Sequence, residues 1–309
     1  MSAFLNRIKK NVVRIRAWAN RDRCSAYRIY DRDIPEFAVS VDFYDGYLVV
    51  YRYYNAEFAV RDEHNFVEVM AGLRQFFQID ESKIFVKERT RQKGNLQYSR
   101  VAHASALHTV REFDLNFIVN LSDFLDTGLF LDHRLSRWWV RNNCRDLSVL
   151  NLFCYTGSVS VHAAAGGAKR VVSVDLSARY LDWAQENFLA NGFKKERYEF
   201  VRADVCQWLK ERQEQFDLIF LDPPSFSNSK KMLSDFDVQR DHFDMIVKCL
   251  RLLSPQGQLF FSNNLRSFKL DQRLSTISKI TDISKSTIPS DFQNQLIHKA
   301  WLLSHLIDC

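Results

Sequence analysis

From residue 147 onward the chain alternates short apolar runs with segments of helical period, and few folds accept that pattern. Strand-like runs lie at 148–153, 170–175, 198–202, 218–222 and 258–262, with helical stretches at 158–165, 178–191, 205–214 and 235–253 between them. Neighbouring parallel strands need a long crossover, which a helix supplies. The alternation therefore predicts a parallel, doubly wound α/β sheet. Such sheets bind their ligands beyond the carboxyl ends of the strands, so the residues there are the first to weigh.

The first strand runs into NLFCYTGS (151–158), where a single glycine, Gly157, lets a ligand approach the backbone closely. The second ends at Asp175, which can accept both hydroxyls of a ribose. The third ends at Asp204, a carboxylate able to take a hydrogen bond from an exocyclic amine such as adenine N6. The fourth ends in DPPSF (222–226), where Pro223 and Pro224 stiffen the turn around Asp222 and Phe226 offers a face for a base. Each acid alone also reads as a helix cap or turn residue. Four consecutive strand ends with nucleoside-compatible groups point together to an adenosine ligand. A dinucleotide would want GxGxxG, and two of those three glycines are missing here. An adenosine without phosphates fits better, with S-adenosylmethionine (SAM) foremost.

The rest of the chain carries the charge. Residues 1–30 hold eight basic residues, including Arg7, Lys10 and Arg14, against Asp22 alone, more than the whole chain's net +6. Phe4, Leu5, Ile8, Val12, Ile15 and Trp18 recur at helical spacing within that stretch, giving a helix with basic flanks. It reads as a polyanion-binding element or as a solvated charged helix packed on its own domain. A second basic run, 87–93, contains Arg89, Arg91 and Lys93. Two β-rich runs flank Asp45-Gly46, a hairpin signal. A helix at 62–79 and strands at 83–87 and 117–121 complete a small α+β module. The expected organisation is a basic helix (1–30), a small α+β RNA-contacting domain (31–125) and a Rossmann-like sheet domain (126–309).

Residues 149–168 lack charge but contain three glycines and several polar residues, which suits a strand, turn and buried helix better than lipid. No signal-peptide pattern is present, and the six cysteines form no CxxC pair, so a reducing cytoplasm is expected. The eight histidines show neither HxxxH nor HxH spacing, so no metal site is expected; His133 and His242 read as hydrogen-bonded or surface groups and Cys154 as a buried thiol.

The order NLFxYTG (151–157), VD (174–175), AD (203–204) and DPPSF (222–226), with DTGLFLDHR (126–134) upstream, resembles the class I SAM-dependent methyltransferases of 23S rRNA. The runs FDLIFLDPPSFSNSK (216–230), FDVQRDH (236–242) and FSNN (261–264) are most similar to the C-terminal, guanine-N7 half of the bifunctional 23S rRNA guanine methyltransferases, the RlmK/L family. The likeness covers nearly the whole chain, including the basic helix, QKG (92–94) and IHxxW (297–301). It implies that Phe130, Arg134, Asn151, Phe153, Tyr155, Thr156 and Gly157 line the methionine moiety of SAM. It further implies Asp175 on the ribose with Leu176 beside the adenine, Asp204 on adenine N6 with Val205 adjacent, and Asp222, Pro223, Pro224 and Phe226 facing the target base. Lys230 follows that loop and could meet RNA phosphates or solvent alone. Bifunctional relatives also carry a THUMP domain and a guanine-N2 methyltransferase, which this chain lacks. The expected partners are thus 23S rRNA and a separate chain with those domains, with a stand-alone version, a truncated gene and an excised piece all left open.

The residues also bear on the atom methylated. Methylating a pyrimidine at C5 requires a thiol nucleophile, and the stretch after the fifth strand, Ser262-Asn263-Asn264, has none. Exocyclic amines are usually served by Asp/Asn-Pro-Pro followed directly by an aromatic, whereas Ser225 intervenes here. Guanine N7 needs only alignment for in-line transfer. The alternatives are an exocyclic amine (guanine N2 or adenine N6) and a non-catalytic RNA-binding module keeping the fold.

Overall fold

A computed structural model describes residues 2–53, 59–89, 107–228 and 235–306. Two compact units divide the chain: Met1–Thr127 with Ser290–Asn294, and Gly128–Pro289 with Gln295–Cys309.

The first unit opens with α1 (Ala3–Arg21), capped where the Ser2 hydroxyl accepts the Leu5 N–H at 3.2 Å. Such a cap contributes about 1 kcal/mol. Phe4, Ile8, Val12, Ile15 and Ala19 form its buried stripe and share a core with Tyr27, Ile29, Val41 and Val50. Arg7, Lys10, Arg14 and Arg21 recur at helical spacing on a separate, exposed face. The sheet consists of β1 (Ala26–Asp31), β2 (Val39–Tyr44), β3 (Tyr47–Arg52) and β4 (Ile84–Glu88), in that order. The first three are antiparallel; β4 joins β3 in parallel after the crossover helix α2 (Ala59–Phe77). Tyr44 pairs with Tyr47 across Asp45 and Gly46, both at positive φ (46° and 92°), the two-residue turn whose twist suits a hairpin. A second hairpin pairs β5 (Leu107–Glu112) with β6 (Leu115–Asn120). Residues 290–294 return to this unit. Asp291 accepts the Arg28 N–H at 3.0 Å, and Phe292 lies under the Arg28 guanidinium, which also binds Asp42 through two hydrogen bonds.

The second unit begins with α3 (Arg134–Asn142) and then alternates: β7 (Ser148–Leu152), α4 (Ser158–Ala165), β8 (Arg170–Asp175), α5 (Ala178–Leu189), β9 (Glu199–Arg202), α6 (Val205–Glu211) and β10 (Phe216–Leu221). The short pair β11 (Phe226–Ser227) and β12 (Phe236–Asp237) precedes α7 (Val238–Arg251) and β13 (Leu253–Asn263). The chain closes with β14 (Ser278–Asp282), the single-turn α8 (Ser284–Thr287) and β15 (Lys299–His305). The seven-stranded order is β14-β15-β13-β10-β7-β8-β9, with β15 antiparallel to both its neighbours and β7, β8, β9, β10 and β13 mutually parallel. Side chains alternate between two cores: Leu150, Leu152, Ile219 and Leu221 serve one face, Val149, Leu218 and Phe220 the other. Each such fully buried side chain contributes about 1.5–3 kcal/mol of transfer free energy.

Strand β14 ends at Asp282, where the chain turns. Asp282 accepts the Ser284 N–H at 2.8 Å, and Ser286 and Thr287 donate back to the carbonyls of Ile283 and Ser284. These local bonds favour a turn over a ladder. Helix α7 starts at residue 238, three later than expected, because Asp237 caps it by accepting the Arg240 N–H.

Candidate active site

Register brings the strand ends level. Leu152 pairs with both Val174 and Leu221, and Leu221 pairs with Phe261. The residues that follow (Phe153, Asp175, Asp222 and Ser262) therefore leave the sheet in one row. Asp175 pairs with Arg202, which puts Asp204 two residues past that level on the next strand.

The loop after β7 is the most constrained segment of this row. Phe153, Tyr155 and Gly157 all have positive φ (55°, 51° and 71°). A non-glycine residue held there costs about 1–2 kcal/mol, so the surroundings must enforce it. They do so through named bonds. Cys154 N–H donates to the Val174 carbonyl, Tyr155 N–H to Asp175 Oδ2 at 2.9 Å, and the Thr156 hydroxyl to the Gly128 carbonyl. Asn187 Nδ2 holds the Thr156 carbonyl at 2.9 Å. A Cβ on Gly157 would come within 2.7 Å of Ala184 Cβ, so the loop lies directly against α5. Asn151 is buried and donates to Ser160, anchoring the strand to α4. The ring of Tyr155 meets those of Phe130 at 5.2 Å and Tyr180 at 4.6 Å. Phe130 is exposed, whereas Arg134, at the start of α3, is buried.

Asp175 takes two backbone hydrogen bonds, from Tyr155 and Ser177, each 2.9 Å. Burial pushes its carboxyl up to about 6, against the opposing effect of those N–H groups. Leu176 follows, half-buried. Asp204 caps α6 by accepting the Cys206 N–H at 2.9 Å, with Val205 buried as the first helical residue. At the end of β10, Asp222 Oδ1 accepts from Ser262 Oγ at 2.7 Å, and its Oδ2 faces His133 Nε2 at 3.5 Å. Pro223 is buried, Pro224 half-buried, and Phe226 is 46% exposed on β11. Ser225 donates to Asn264, tying this loop to the end of β13. Asn263, buried beside it, has its Nδ2 without an acceptor among the described residues.

Of the basic residues, Arg7, Lys10 and Arg14 line the exposed face of α1, with Arg7 3.9 Å from Asp33. The second basic run is not a uniform surface patch. Lys87 is buried, donates to the Phe124 carbonyl, and is pushed down to about 8 by burial. Arg89 pairs with Asp126 at 3.0 Å and stacks over Tyr51. Arg91, Lys93 and Lys230 lie outside the described residues.

The buried Cys154 thiol is pushed well up by desolvation, which leaves it unreactive. His242 accepts the Asp271 N–H at Nε2 and faces two carbonyls through Nδ1, a purely structural bond set. His133 and Ser262, both against Asp222, lie in the runs DTGLFLDHR and FSNN, but no spacing in the sequence links either to Asp222. On distance alone, Asp132, His133 and His298 form a possible metal-ligand set.

A parallel-rich sheet with one antiparallel strand inserted between β13 and β14, and acids at three strand ends, is the class I methyltransferase arrangement. The profile of the S-adenosylmethionine-dependent methyltransferases matches residues 64–280, and the chain belongs to that family. Its cofactor is accordingly SAM. Among curated relatives, the ribosomal RNA large subunit methyltransferase K/L of Shewanella loihica is 46% identical over 98% of this chain and 44% of its own length. That of Hahella chejuensis is 45% identical over 98% and 42%. The chain thus spans less than half the length of these relatives. Among solved structures, SMU.776, described as a methyltransferase complexed with SAH, superimposes with a TM-score of 0.79 at 27% identity, covering 97% of this chain and 80% of that one. A SAM-dependent methyltransferase from Agrobacterium tumefaciens shares the fold, with a TM-score of 0.61 at 19% identity over 87% of each chain. No helix among the described residues is long and apolar enough to cross a membrane.

Proposed function

We propose that this chain transfers the methyl group of SAM to N7 of a guanine in 23S rRNA. The observation that carries the reading is the 46% identity, sustained over 98% of the chain, to a relative named for large-subunit rRNA methylation.

The donor set suits the cofactor. An ionised carboxylate offers about four lone-pair sites; the backbone N–H groups of Tyr155, Ser177 and Leu176 draw on Asp175, and the remaining capacity is open to ribose hydroxyls. Asp204 caps with Oδ1, and its Oδ2 serves as the acceptor for adenine N6, with Leu176 and Val205 as the apolar walls. The bent 153–157 loop, with Asn151, Phe130 and Arg134, holds the methionine end. When bound, SAM supplies a sulfonium methyl, which the N7 lone pair takes as the C–S electron pair returns to sulfur. Positive charge then passes to the purine, and the Asp222 carboxylate stabilises it without accepting a proton. Pro223 and Pro224 fix that carboxylate, and the exposed Phe226 ring stacks on a base that has left its helix. Arg7, Lys10 and Arg14 meet phosphates, with Arg91, Lys93 and Lys230 as further contacts and Arg89 largely compensated within its own unit. THUMP and guanine-N2 methyltransferase domains, on the same polypeptide or on a separate chain, complete the RNA grip in the cytoplasm.

The test is incubation of unmodified 23S rRNA with this protein and labelled SAM, followed by nucleoside mass spectrometry. N7-methylguanine is the expected product. N2-methylguanine or N6-methyladenine would overturn the choice of atom. Absence of both transfer and calorimetric SAM binding would leave an RNA-binding module.

A further inference from the structure

Beside the Asp222 carboxylate lies a buried cluster that methyl transfer, as read above, does not use. His133 Nε2 is 3.5 Å from Asp222 Oδ2 and 3.8 Å from Asp132 Oδ2, and its Nδ1 is 3.2 Å from Ser136 Oγ. Its ring lies parallel to that of His298, with centroids 4.4 Å apart and planes 13° from coplanar. Both nitrogens of His298 are engaged, Nδ1 with Asp132 Oδ2 and Nε2 with Thr287 Oγ1, each at 3.0 Å. A metal ion among Asp132, His133 and His298 would have to displace bonds already made, so the cluster is a hydrogen-bonded network.

With hydrogen on Nε2, His133 presents it toward Asp222 Oδ2 across 3.5 Å. In that tautomer Nδ1 accepts the Ser136 hydroxyl at 3.2 Å and the ring is neutral. Burial pushes His133 below the usual imidazole range; Asp222 and Asp132 act upward, His298 and Arg137 downward. The stacked ring of His298 leaves His133 no freedom to turn away.

We propose that His133 is a positioning residue for Asp222: its Nε2–H holds Oδ2 while Ser262 holds Oδ1, so that neither oxygen rotates out of the site. This rests on the reading that Asp222 serves the target base.

Two variants of the full chain test it. His133→Phe keeps a ring against His298 and removes the N–H; His133→Gln restores an amide N–H near Nε2. With unmodified 23S rRNA and labelled SAM, the Phe variant is expected to lose roughly 10–100-fold in turnover, with the SAM dissociation constant within about twofold of the parent. The Gln variant is expected to recover most of that loss. In an Asp222→Asn background the Phe change is expected to add nothing, the signature of two residues acting as one unit. A 13C-labelled Asp222 carboxyl gives a readout independent of substrate. Its resonance follows the titration of His133 in the parent and ceases to do so in His133→Phe. An unchanged Asp222 resonance, or a turnover loss additive with Asp222→Asn, overturns the proposal. Methylation at another atom overturns the substrate reading alone, because the variants are compared by methyl groups transferred whatever base accepts them.

Discussion

Asp222 and Ser262 each follow one member of the paired residues Leu221 and Phe261, and the Ser262 hydroxyl reaches Asp222 Oδ1 at 2.7 Å. The bond ties the β10 loop to the neighbouring strand at the level where the target base is proposed to sit. Asp222→Ala is expected to lower turnover by about 100-fold or more while changing SAM affinity far less. Ser262→Ala, which frees one oxygen, is expected to cost about tenfold. Single-turnover rates with calorimetric SAM titration check both, and an unchanged rate for Asp222→Ala would remove that residue from the mechanism.

Asp175 makes the cofactor step depend on pH. Burial raises its carboxyl to about 6, so the anion that accepts ribose hydroxyls forms only above that pH. SAM affinity is expected to rise as pH increases through about 6 and then level off. Asp175→Asn is expected to bind SAM at least about tenfold more weakly and without that step. Stability runs the other way. The unfolded chain ionises this group first, so the native state loses stability as pH rises from about 4 to about 6 and nothing further above it. Urea denaturation of parent and Asp175→Asn across that window tests the sign.

Gly157 combines a φ of 71° with a close approach to Ala184. Gly157→Ala is expected to destabilise the fold by about 1–3 kcal/mol and to weaken SAM binding. Ala184→Gly in the same chain removes the atom that the new methyl would strike. It is expected to restore part of the thermal midpoint, leaving the share due to φ.

The exposed row on α1 is expected to act on RNA alone. Replacing Arg7, Lys10 and Arg14 by Ala is expected to lower rRNA affinity and to flatten its salt dependence by about 0.7–0.9 in slope per lost phosphate contact. SAM titration should be unaffected. An unaltered salt slope would show that the helix face meets no phosphate.

The Arg28–Asp42 pair sits in the core of the first unit, with Nε–Oδ1 at 2.7 Å. Asp42→Ala leaves the buried guanidinium without its two-bond partner, and a loss of about 3–5 kcal/mol is expected from chemical denaturation.

The sheet of the second unit was readable because its central strands are buried on both faces and appear as continuous apolar runs, such as 148–153 and 218–222. The hairpin at Asp45-Gly46 was readable because only its turn residues tolerate that backbone. Strand β1 was not, since all six residues are buried while Arg28 and Asp31 interrupt any apolar pattern. The loop after β7 hid its strain because Phe153 and Tyr155, unlike glycine, announce nothing about positive φ. Within the basic run 87–93, strand alternation turns Lys87 inward, which composition alone does not reveal. His133 met Asp222 only through folding, 89 positions apart in the chain. Lys299 and Trp301, whose roles the sequence does not assign, hold the last strand in place: Lys299 donates to the Phe268 carbonyl, and Trp301 stacks on Phe261.

The ladder order of the second unit has a consequence for biogenesis. Among the described residues β14 pairs only with β15, and β15 follows every other strand of this sheet in the chain. Until it emerges, the eleven-residue β13 keeps one side unpaired, an adhesive edge of the kind that invites mispairing between nascent chains. Ribosome-bound intermediates halted before residue 299 would then be the aggregation-prone species, and emergence of residues 299–305 would be the event that seals the sheet.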